Sequence, residues 1–295
     1  KKPGAGEVEV KIQAAAINFK DVAITTGLLD TDVDENGLVA NLGFECSGEI
    51  VRVGSNVRRF KVGDFVLGPG SGLFGNYAIM DSKILALKPA HLSFEAAATI
   101  PIAFLTAHYA LHQLAKIKKG EKVLIHTATG GVGLAAIQLC RTAGAEVLAT
   151  AGTPEKRDFL RSMGIEYVGD SRTLDFAEEI EDFTNHQGVD IVINTLPDKA
   201  IAKGIALLRP ITGRFIDISN YLSDSQIDLS NLKNGVTFFV FDGDDIRQTR
   251  PKLYGSLLKK IMDKFDEKIY QPLPHRVFPL SDVGGAIRHM QKATH

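Results

Sequence analysis

The sequence has few cysteines and no arrangement that would pair them. Cys46 and Cys140 are the only two in 295 residues, and each lies inside an apolar stretch. Disulfide frameworks use more cysteines than this and belong to oxidising compartments. We therefore expect two buried thiols and a cytoplasmic protein.

An excess of either charge is also missing. Lys and Arg number 34 against 35 Asp and Glu, and no run of basic residues reaches five. Nucleic-acid-binding domains and membrane-surface segments carry clustered basic charge, and a membrane-spanning helix needs about 18 consecutive apolar residues. The sequence therefore predicts no nucleic acid and no membrane partner, and it favours a small molecule or a protein.

The residue sets for metal and acyl-transfer chemistry are lacking too. There is no Cys-x-x-Cys pair, and no Gly-x-Ser-x-Gly elbow of the kind found in α/β-hydrolases. Zinc catalysis needs several Cys, His or carboxylate ligands around one ion. His108 and His112, four residues apart on a predicted helix, could form half of such a set, but a packed or exposed pair is the favoured interpretation. No metal site is predicted.

What the sequence does contain is a change of period that divides the chain. Apolar and polar residues alternate at 8–12, and β-branched runs at 49–54 and 64–68 end in glycine, as in a small antiparallel sheet. A weak helix is predicted at 18–26, and 29–41 is expected to be a surface loop. A helical pattern begins after Ser93, which can cap it.

Beyond residue 120, apolar strands alternate with helical segments. This order is typical of a parallel sheet covered by helices on both faces. The predicted strands are 122–126, 146–150, 189–193 and 213–217. Two further helical stretches flank Pro272-Leu273-Pro274 near the end of the chain.

The most informative stretch joins the first of these strands to the next helix. A dinucleotide-binding turn needs small residues for a tight bend, for close approach to a pyrophosphate and for helix packing, and Ala128, Gly130 and Gly133 occupy those places. A glycine-rich turn also closes many strand-to-helix loops without binding anything. The loop about 20 residues later lacks the carboxylate that reads an NAD ribose, and it supplies Lys156 and Arg157, with Arg172 beyond. This favours NADPH, against the alternative that both cations merely lie on an exposed first turn.

These motifs together resemble the zinc-free medium-chain dehydrogenase/reductase superfamily, and within it the enoyl reductase domains of modular polyketide synthases and animal-type fatty acid synthases. The resemblance runs nearly end to end. It is carried by the segments at 3–10, 16–22, 43–48, 62–64, 100–111, 126–133, 171–176, 194–196 and 278–280. Phe44 stands where zinc-dependent relatives carry a histidine, which agrees with the metal-free interpretation.

The resemblance implies an α/β fold with a β-rich, GroES-like substrate domain at 1–115 and 250–295 and a Rossmann-type doubly wound domain at 116–249. It implies an NADPH-dependent reduction of an α,β-unsaturated thioester on an acyl carrier protein, beside other domains of a multidomain synthase. Lys156 and Asp175 match suggested proton donors, and Asn18 and Phe19 are expected in the substrate pocket. The cofactor contacts implied are Thr106, Thr129, Gly130, Gly131, Val132, Gly133, Lys156, Arg172, Asn194 and Leu196.

One departure from the family pattern concerns the product. Many polyketide enoyl reductases carry a tyrosine shortly after the block that corresponds to Asn18–Val22, whereas here Leu28 and Leu29 stand in that place. An enolate that is not promptly protonated could be captured by an internal leaving group, so an atypical product is one expectation. The alternatives are a stand-alone quinone or enone reductase and a non-catalytic NADPH-binding protein. The absence of an initiator Met favours a domain of a larger synthase.

Overall fold

The computed structural model describes residues 2–29, 41–219 and 232–292. The chain divides into two compact units, Lys1–Leu105 with Asp244–His295, and Thr106–Gly243. The sequence placed the corresponding changes at 115/116 and 249/250. The first structural division falls inside a helix, where no break in the apolar pattern marks it. The loop predicted at 29–41 lies almost wholly outside the described residues.

The first unit contains an antiparallel sheet of five strands in the order β4-β1-β2-β3-β5. Val8 and Val10 of β1 are fully buried because alternate side chains of a strand point to the same face. The alternation in the sequence therefore correctly predicted β1, whereas the partially exposed β4 and the two-residue β5 were not predicted. The elements are β1 (Glu7–Ala16), α1 (Phe19–Thr25), β2 (Glu45–Val53), β3 (Phe65–Pro69), β4 (Tyr77–Asp81), β5 (Ala86–Leu87), α2 (Phe94–Ala98) and α3 (Pro101–His108).

The second unit contains a parallel sheet of six strands in the order β11-β10-β9-β6-β7-β8. Its central strands β6 and β9 are almost wholly buried, as expected when helices cover both faces. The predicted doubly wound fold is confirmed. A π-helical turn at Tyr109–Leu114 precedes β6 (Lys122–Ile125), α4 (Gly131–Ala143), β7 (Glu146–Ala151), α5 (Pro154–Ser162), β8 (Tyr167–Asp170), α6 (Phe176–Phe183), β9 (Ile191–Asn194), α7 (Lys199–Ala206), β10 (Arg214–Asp217) and β11 (Thr237–Val240).

The chain ends with α8 (Gly243–Thr249), α9 (Pro251–Asp266) and α10 (Val283–Gln291). The two helical stretches predicted around the proline break correspond to α9 and α10. Helix α9 buries one side of its surface, where Phe265 packs edge-on against Phe104 with ring centroids 4.9 Å apart. Within the described ranges, no helix is both long and apolar enough to span a bilayer.

Close packing of α9 at Gly255 predicts a large effect of one methyl group. A Cβ at this position would overlap the backbone carbonyl oxygen of Lys83, which cannot move aside as a flexible side chain would. We expect Gly255→Ala to lower the free energy of unfolding by about 1–3 kcal/mol. Gly75→Ala is the matched control, since nothing lies within 4 Å of the added atom. Equal denaturant midpoints for the two variants would contradict this packing.

Candidate active site

The turn between β6 and α4 has the geometry of an anion site. Gly133 lies against the backbone of Ala128, where a Cβ would come within 2.6 Å. Gly130 is the N-cap residue in an extended conformation, and no side chain caps the helix. The first N–H groups of the 13-residue α4 therefore have no side-chain acceptor, and the positive end of the helix dipole favours a bound phosphate. Thr129 to Gly133 lie at this turn, as predicted.

The loops after β6 and β9 are fastened to each other beside this turn. The hydroxyls of Thr127 and Thr195 lie 2.7 Å apart. Asn194 is fully buried; its Nδ2 donates to the backbone carbonyl of Leu196 at 2.7 Å and to Asp217 at 3.0 Å. Its Oδ1 accepts from the N–H of Leu196 at 3.2 Å. The Asn194 amide thus shapes the loop that presents Leu196, and both residues lie at the carboxyl edge of the sheet.

His126 supports the same turn from below. The ring is fully buried, with Nδ1 3.0 Å from the hydroxyl of Thr150 and its face in edge contact with Phe176. Among the described residues, Nε2 has no hydrogen-bond partner. Burial lowers the pKa of His126 to about 3, so the ring is neutral at physiological pH. It acts here as a packed spacer between β6 and β7.

Two cations lie together after β7 and β8. Burial lowers the pKa of Lys156, and the nearby positive charge of Arg172 lowers it further. Neither side chain has an ion-pair partner among the described residues. Arg157 differs from them, because its guanidinium pairs with Asp170 at 2.8 Å and donates to the carbonyl of Ala151 at 3.1 Å. Lys156 and Arg172 are therefore the cations available for an anion, and Arg157 is a structural residue.

This arrangement fits NADPH. Two adjacent cations that repel each other are stabilised by an anion between them, and a 2′-phosphate needs positive charge where NAD sites carry a carboxylate. The strand β7 ends at Ala151 and is followed by Gly152, so no carboxylate occupies that end of the strand. The helix N-terminus of α4 suits the pyrophosphate. Lys156, Arg172 and the turn would hold the cofactor.

The other predicted residues of this unit lie on different elements. Asp175 is exposed at the N-cap position of α6, in the loop that follows the edge strand β8. Its backbone N–H lies 3.4 Å from the hydroxyl of Thr173. Thr106 is half-buried on α3, facing Gly243. No distance links Asp175 to Lys156, so the two suggested proton donors are not shown to act on one atom.

In the first unit, Asn18 and Phe19 lie at the start of α1. Phe19 is 56% exposed, which is unusual for a large apolar side chain and suits a surface that binds an apolar group. Asn18 is held twice: its N–H donates to Asp21 at 2.8 Å and its Nδ2 donates to Glu45 at 3.0 Å. Asp21 also accepts from the N–H of Gly43 at 2.7 Å. The site residues predicted here are therefore tied to β2 through buried carboxyl groups.

Glu45 is the most unusual ionisable group of this unit. It is 3% exposed, and its Oε2 accepts from the N–H of Ile102 at the start of α3 at 2.8 Å. Burial raises the pKa of Glu45 to about 8, against the opposing effects of its two hydrogen bonds. Burial likewise raises the pKa of Asp21. Both carboxyl groups are thus costly in this place.

A second polar group lies beside Phe44. The Lys20 ammonium is 5.1 Å from the centroid of the Phe44 ring and 2.5 Å from Asp244, which also accepts from Arg247 at 2.8 Å. These contacts hold the first turn of α1 against α8. Asp21, Glu45 and Asp244 were not assigned from the sequence. A signal for Glu45 was present, because it is the one charged residue in the apolar run Gly43–Gly48.

The donors near Phe44 do not fit zinc. Phe44 supplies no ligand, and the Cys46 thiol is buried 3.8 Å from the sulfur of Met80, with its pKa raised by burial and by Glu45. A zinc ligand must be a thiolate. His108 and His112 stack with ring centroids 4.8 Å apart. In the described part of the chain, no three His, Cys, Asp or Glu residues are grouped as a metal site requires.

Comparison with known proteins gives matches over both units. The profile described as "Alcohol dehydrogenase GroES-like domain" matches residues 4–90, and the profile described as "Zinc-binding dehydrogenase" matches residues 131–259. Among curated proteins, the phthioceranic/hydroxyphthioceranic acid synthase of Mycobacterium bovis is 38% identical over 99% of this chain. The chain spans only 14% of the length of that relative.

Solved structures match the chain as a whole. The CurK enoyl reductase is 40% identical with a TM-score of 0.89, and the match covers 100% of this chain and 90% of that one. The structure titled "CurF ER cyclopropanase from curacin A biosynthetic pathway" is 39% identical with a TM-score of 0.91 and the same coverage. The fold and the motifs quoted above are thus shared along the full length.

The cation pair predicts a change of cofactor selectivity. Removing either cation weakens attraction for a 2′-phosphate and leaves an NADH complex untouched, so we expect Lys156→Ala and Arg172→Ala each to raise the KM for NADPH about tenfold, by the loss of one charge-assisted contact. Steady-state kinetics with NADPH and NADH measure this. Arg157→Ala is the control, expected to lower the melting temperature with less change in selectivity. If Lys156→Ala instead lowers kcat equally with both cofactors, Lys156 is the proton donor and not a phosphate ligand.

The raised pKa of Glu45 predicts a pH dependence of stability. Between the ordinary pKa of 4.5 and about 8, the folded chain retains a proton that the unfolded chain has lost. The free energy of unfolding therefore falls as the pH rises through this window and levels off above it. Denaturant unfolding from pH 5 to 9 measures the slope. Glu45→Gln should flatten it, whereas Glu49→Gln on the same strand should not, and an unchanged slope in Glu45→Gln would exclude Glu45 as its source.

Proposed function

Because the chain belongs to the enoyl reductase family of the medium-chain dehydrogenase/reductase superfamily, we propose that it uses NADPH to reduce the C=C bond of an α,β-unsaturated acyl thioester. Likeness to enoyl reductase structures along the entire chain carries this proposal. The Lys156–Arg172 pair supports the choice of NADPH over NADH. The lack of a zinc donor set is consistent with a substrate activated by conjugation rather than by a metal.

The bound cofactor would supply the hydride that adds to the β-carbon of the substrate. The residues of the chain then have two tasks: to stabilise the negative charge that develops on the thioester oxygen and to place a proton donor at the α-carbon. For the first task we assign the amide of Asn18, a hydrogen-bond donor at the start of α1. Phe19 would pack against the acyl chain. The N-terminus of α4, with Thr129 to Gly133, would bind the pyrophosphate.

The proton donor is assigned among two residues. Lys156 and Asp175 match suggested donors of the family, but the position of Lys156 beside Arg172 favours a phosphate contact. Asp175 is exposed and has no such neighbour among the described residues, so it is the better candidate of the two. Asp175→Asn should then lower kcat with NADPH and NADH alike.

The thioester is proposed to be carried by an acyl carrier protein. The curated relatives include polyketide synthases several times longer than this chain, such as the phthioceranic/hydroxyphthioceranic acid synthase. We propose that the chain works beside other domains of such a synthase. Two free, buried cysteines fit a reducing cytoplasm.

A second candidate reaction is closure of a three-membered ring. The observation in its favour is the likeness to a structure titled as a cyclopropanase, together with Leu28 and Leu29 in place of the family tyrosine. After hydride addition, the electron pair at the α-carbon would attack the γ-carbon of the substrate and expel a leaving group there as an anion. The α–γ bond forms, the bond to the leaving group breaks, and no external proton is needed.

An assay of NADPH oxidation with mass analysis of the product tests the proposal. The substrates are crotonyl and 2-methylcrotonyl thioesters on pantetheine and on a carrier protein, with a γ-chlorocrotonyl thioester for the ring closure and NADH as the cofactor control. We expect saturated thioesters and a clear preference for NADPH. Oxidation with free quinones only would indicate a stand-alone quinone reductase. Binding of NADPH without oxidation would indicate a non-catalytic protein, and a cyclopropyl product would establish the second candidate.

A further inference from the structure

Glu45 connects two elements that the proposed reaction needs. Resting on the proposed function, we propose that Glu45 is a positioning residue, whose two carboxyl oxygens fix the amide of Asn18 and the start of α3 for binding of the thioester. Asn18 Nδ2 donates to Oε1 at 3.0 Å, and the N–H of Ile102 donates to Oε2 at 2.8 Å. Ile102 lies one helical turn before Thr106, a predicted cofactor contact on the same helix.

A carboxylate is suited to this task for a reason of stoichiometry. It offers an acceptor oxygen to each of two donors, whereas a side-chain amide accepts at one position and donates at the other. A glutamine at position 45 would therefore meet Asn18 and Ile102 with one acceptor for two N–H groups. One of the two donors would be left buried without an equal partner, and the element that carries it would shift.

The backbone of Asn18 is already fixed by another group. Its N–H donates to Asp21, and Asp21 also accepts from the N–H of Gly43, so the backbone of residue 18 is held against the chain just before β2. The remaining freedom is rotation of the Asn18 side chain. Glu45 removes that freedom, since it accepts the amide hydrogen. The direction of the Asn18 amide is thus set by Glu45 and not by its own helix.

The position is a costly one for a carboxyl group, which argues against a purely structural role. Glu45 is buried, and among the described residues it has no ion-pair partner. The titratable groups that face it are Asp21 on α1, the neighbouring thiol of Cys46 and the hydroxyl of Tyr254 on α9. None of them is a cation. An apolar residue here would relieve the desolvation cost that raises the pKa of Glu45.

The same groups give the expected pH dependence its sign. The ionised carboxyl group accepts both donors, and the protonated form has one fully available acceptor oxygen. Positioning should therefore improve as the pH rises through the pKa of Glu45, which burial raises to about 8. Cys46 and Tyr254, with pKa values raised further still by burial, keep their protons in this range.

The test compares Glu45→Gln and Glu49→Gln in steady-state kinetics with NADPH and crotonyl pantetheine from pH 6 to 9.5. For Glu45→Gln we expect kcat/KM for the thioester to fall about tenfold at pH 9 and little at pH 6, as a small misplacement of a binding group would cause. The ratio of wild type to variant should rise through one inflection near pH 8. The KM for NADPH should stay within about twofold, and Glu49→Gln should match wild type throughout.

A double-mutant cycle keeps the inference testable if Glu45→Gln lowers stability. Asn18→Ala removes the side chain on which Glu45 is proposed to act, so adding Glu45→Gln to it should cost little further activity. Full additivity, or a ratio that is flat with pH, would overturn the inference. Loss of melting temperature with unchanged kinetics in the folded fraction would also overturn it and leave Glu45 a structural residue. Absence of thioester reduction in wild type would instead refute the proposed function.

Discussion

Most residues assigned to the cofactor follow the carboxyl end of a strand in the six-stranded sheet, because all of its strand pairs are parallel. A parallel sheet brings every strand-to-helix loop to one edge, which is where α/β sheets bind their ligands. The glycine turn follows β6, Lys156 follows β7, Arg172 follows β8 and Asn194 ends β9. If the strands ran in alternating directions, these residues would lie at opposite edges. The site therefore depends on backbone hydrogen bonding between strands far apart in sequence.

The other unit is organised around charge that has been taken out of water. Asp21 and Glu45 are both buried, and each accepts two hydrogen bonds that join separate segments of the chain. Such groups cost free energy unless their acceptors are filled. Here the four bonds connect the start of α1, the chain before β2 and the start of α3. The cost in stability is offset by a fixed direction for the Asn18 amide.

The predictability of the fold varied with the strength of the local pattern. The β6-turn-α4 segment combines a buried strand, an ordered set of small residues and an amphipathic helix, so its structure followed from local rules. Strands β8 and β11 have four residues each and lie at the edges of the sheet, where burial on only part of the surface weakens the apolar signal. Arg157 looked equivalent to Lys156 in sequence, but the partner that distinguishes them, Asp170, lies 13 positions further along the chain and on another strand.

The sequence by itself determined the fold class, the position of the nucleotide turn and the preference for a phosphorylated cofactor, since each depends on residues adjacent along the chain. Small residues at 128–133 and the lack of a carboxylate after β7 are local facts. Only the tertiary structure decided that Lys156 and Arg172 form the pair, and that Glu45 holds both Asn18 and Ile102. Those contacts join residues 27 and 57 positions apart in the case of Glu45. Such distances are set by strand pairing and helix packing, and no periodicity in the sequence encodes which polar group will meet which.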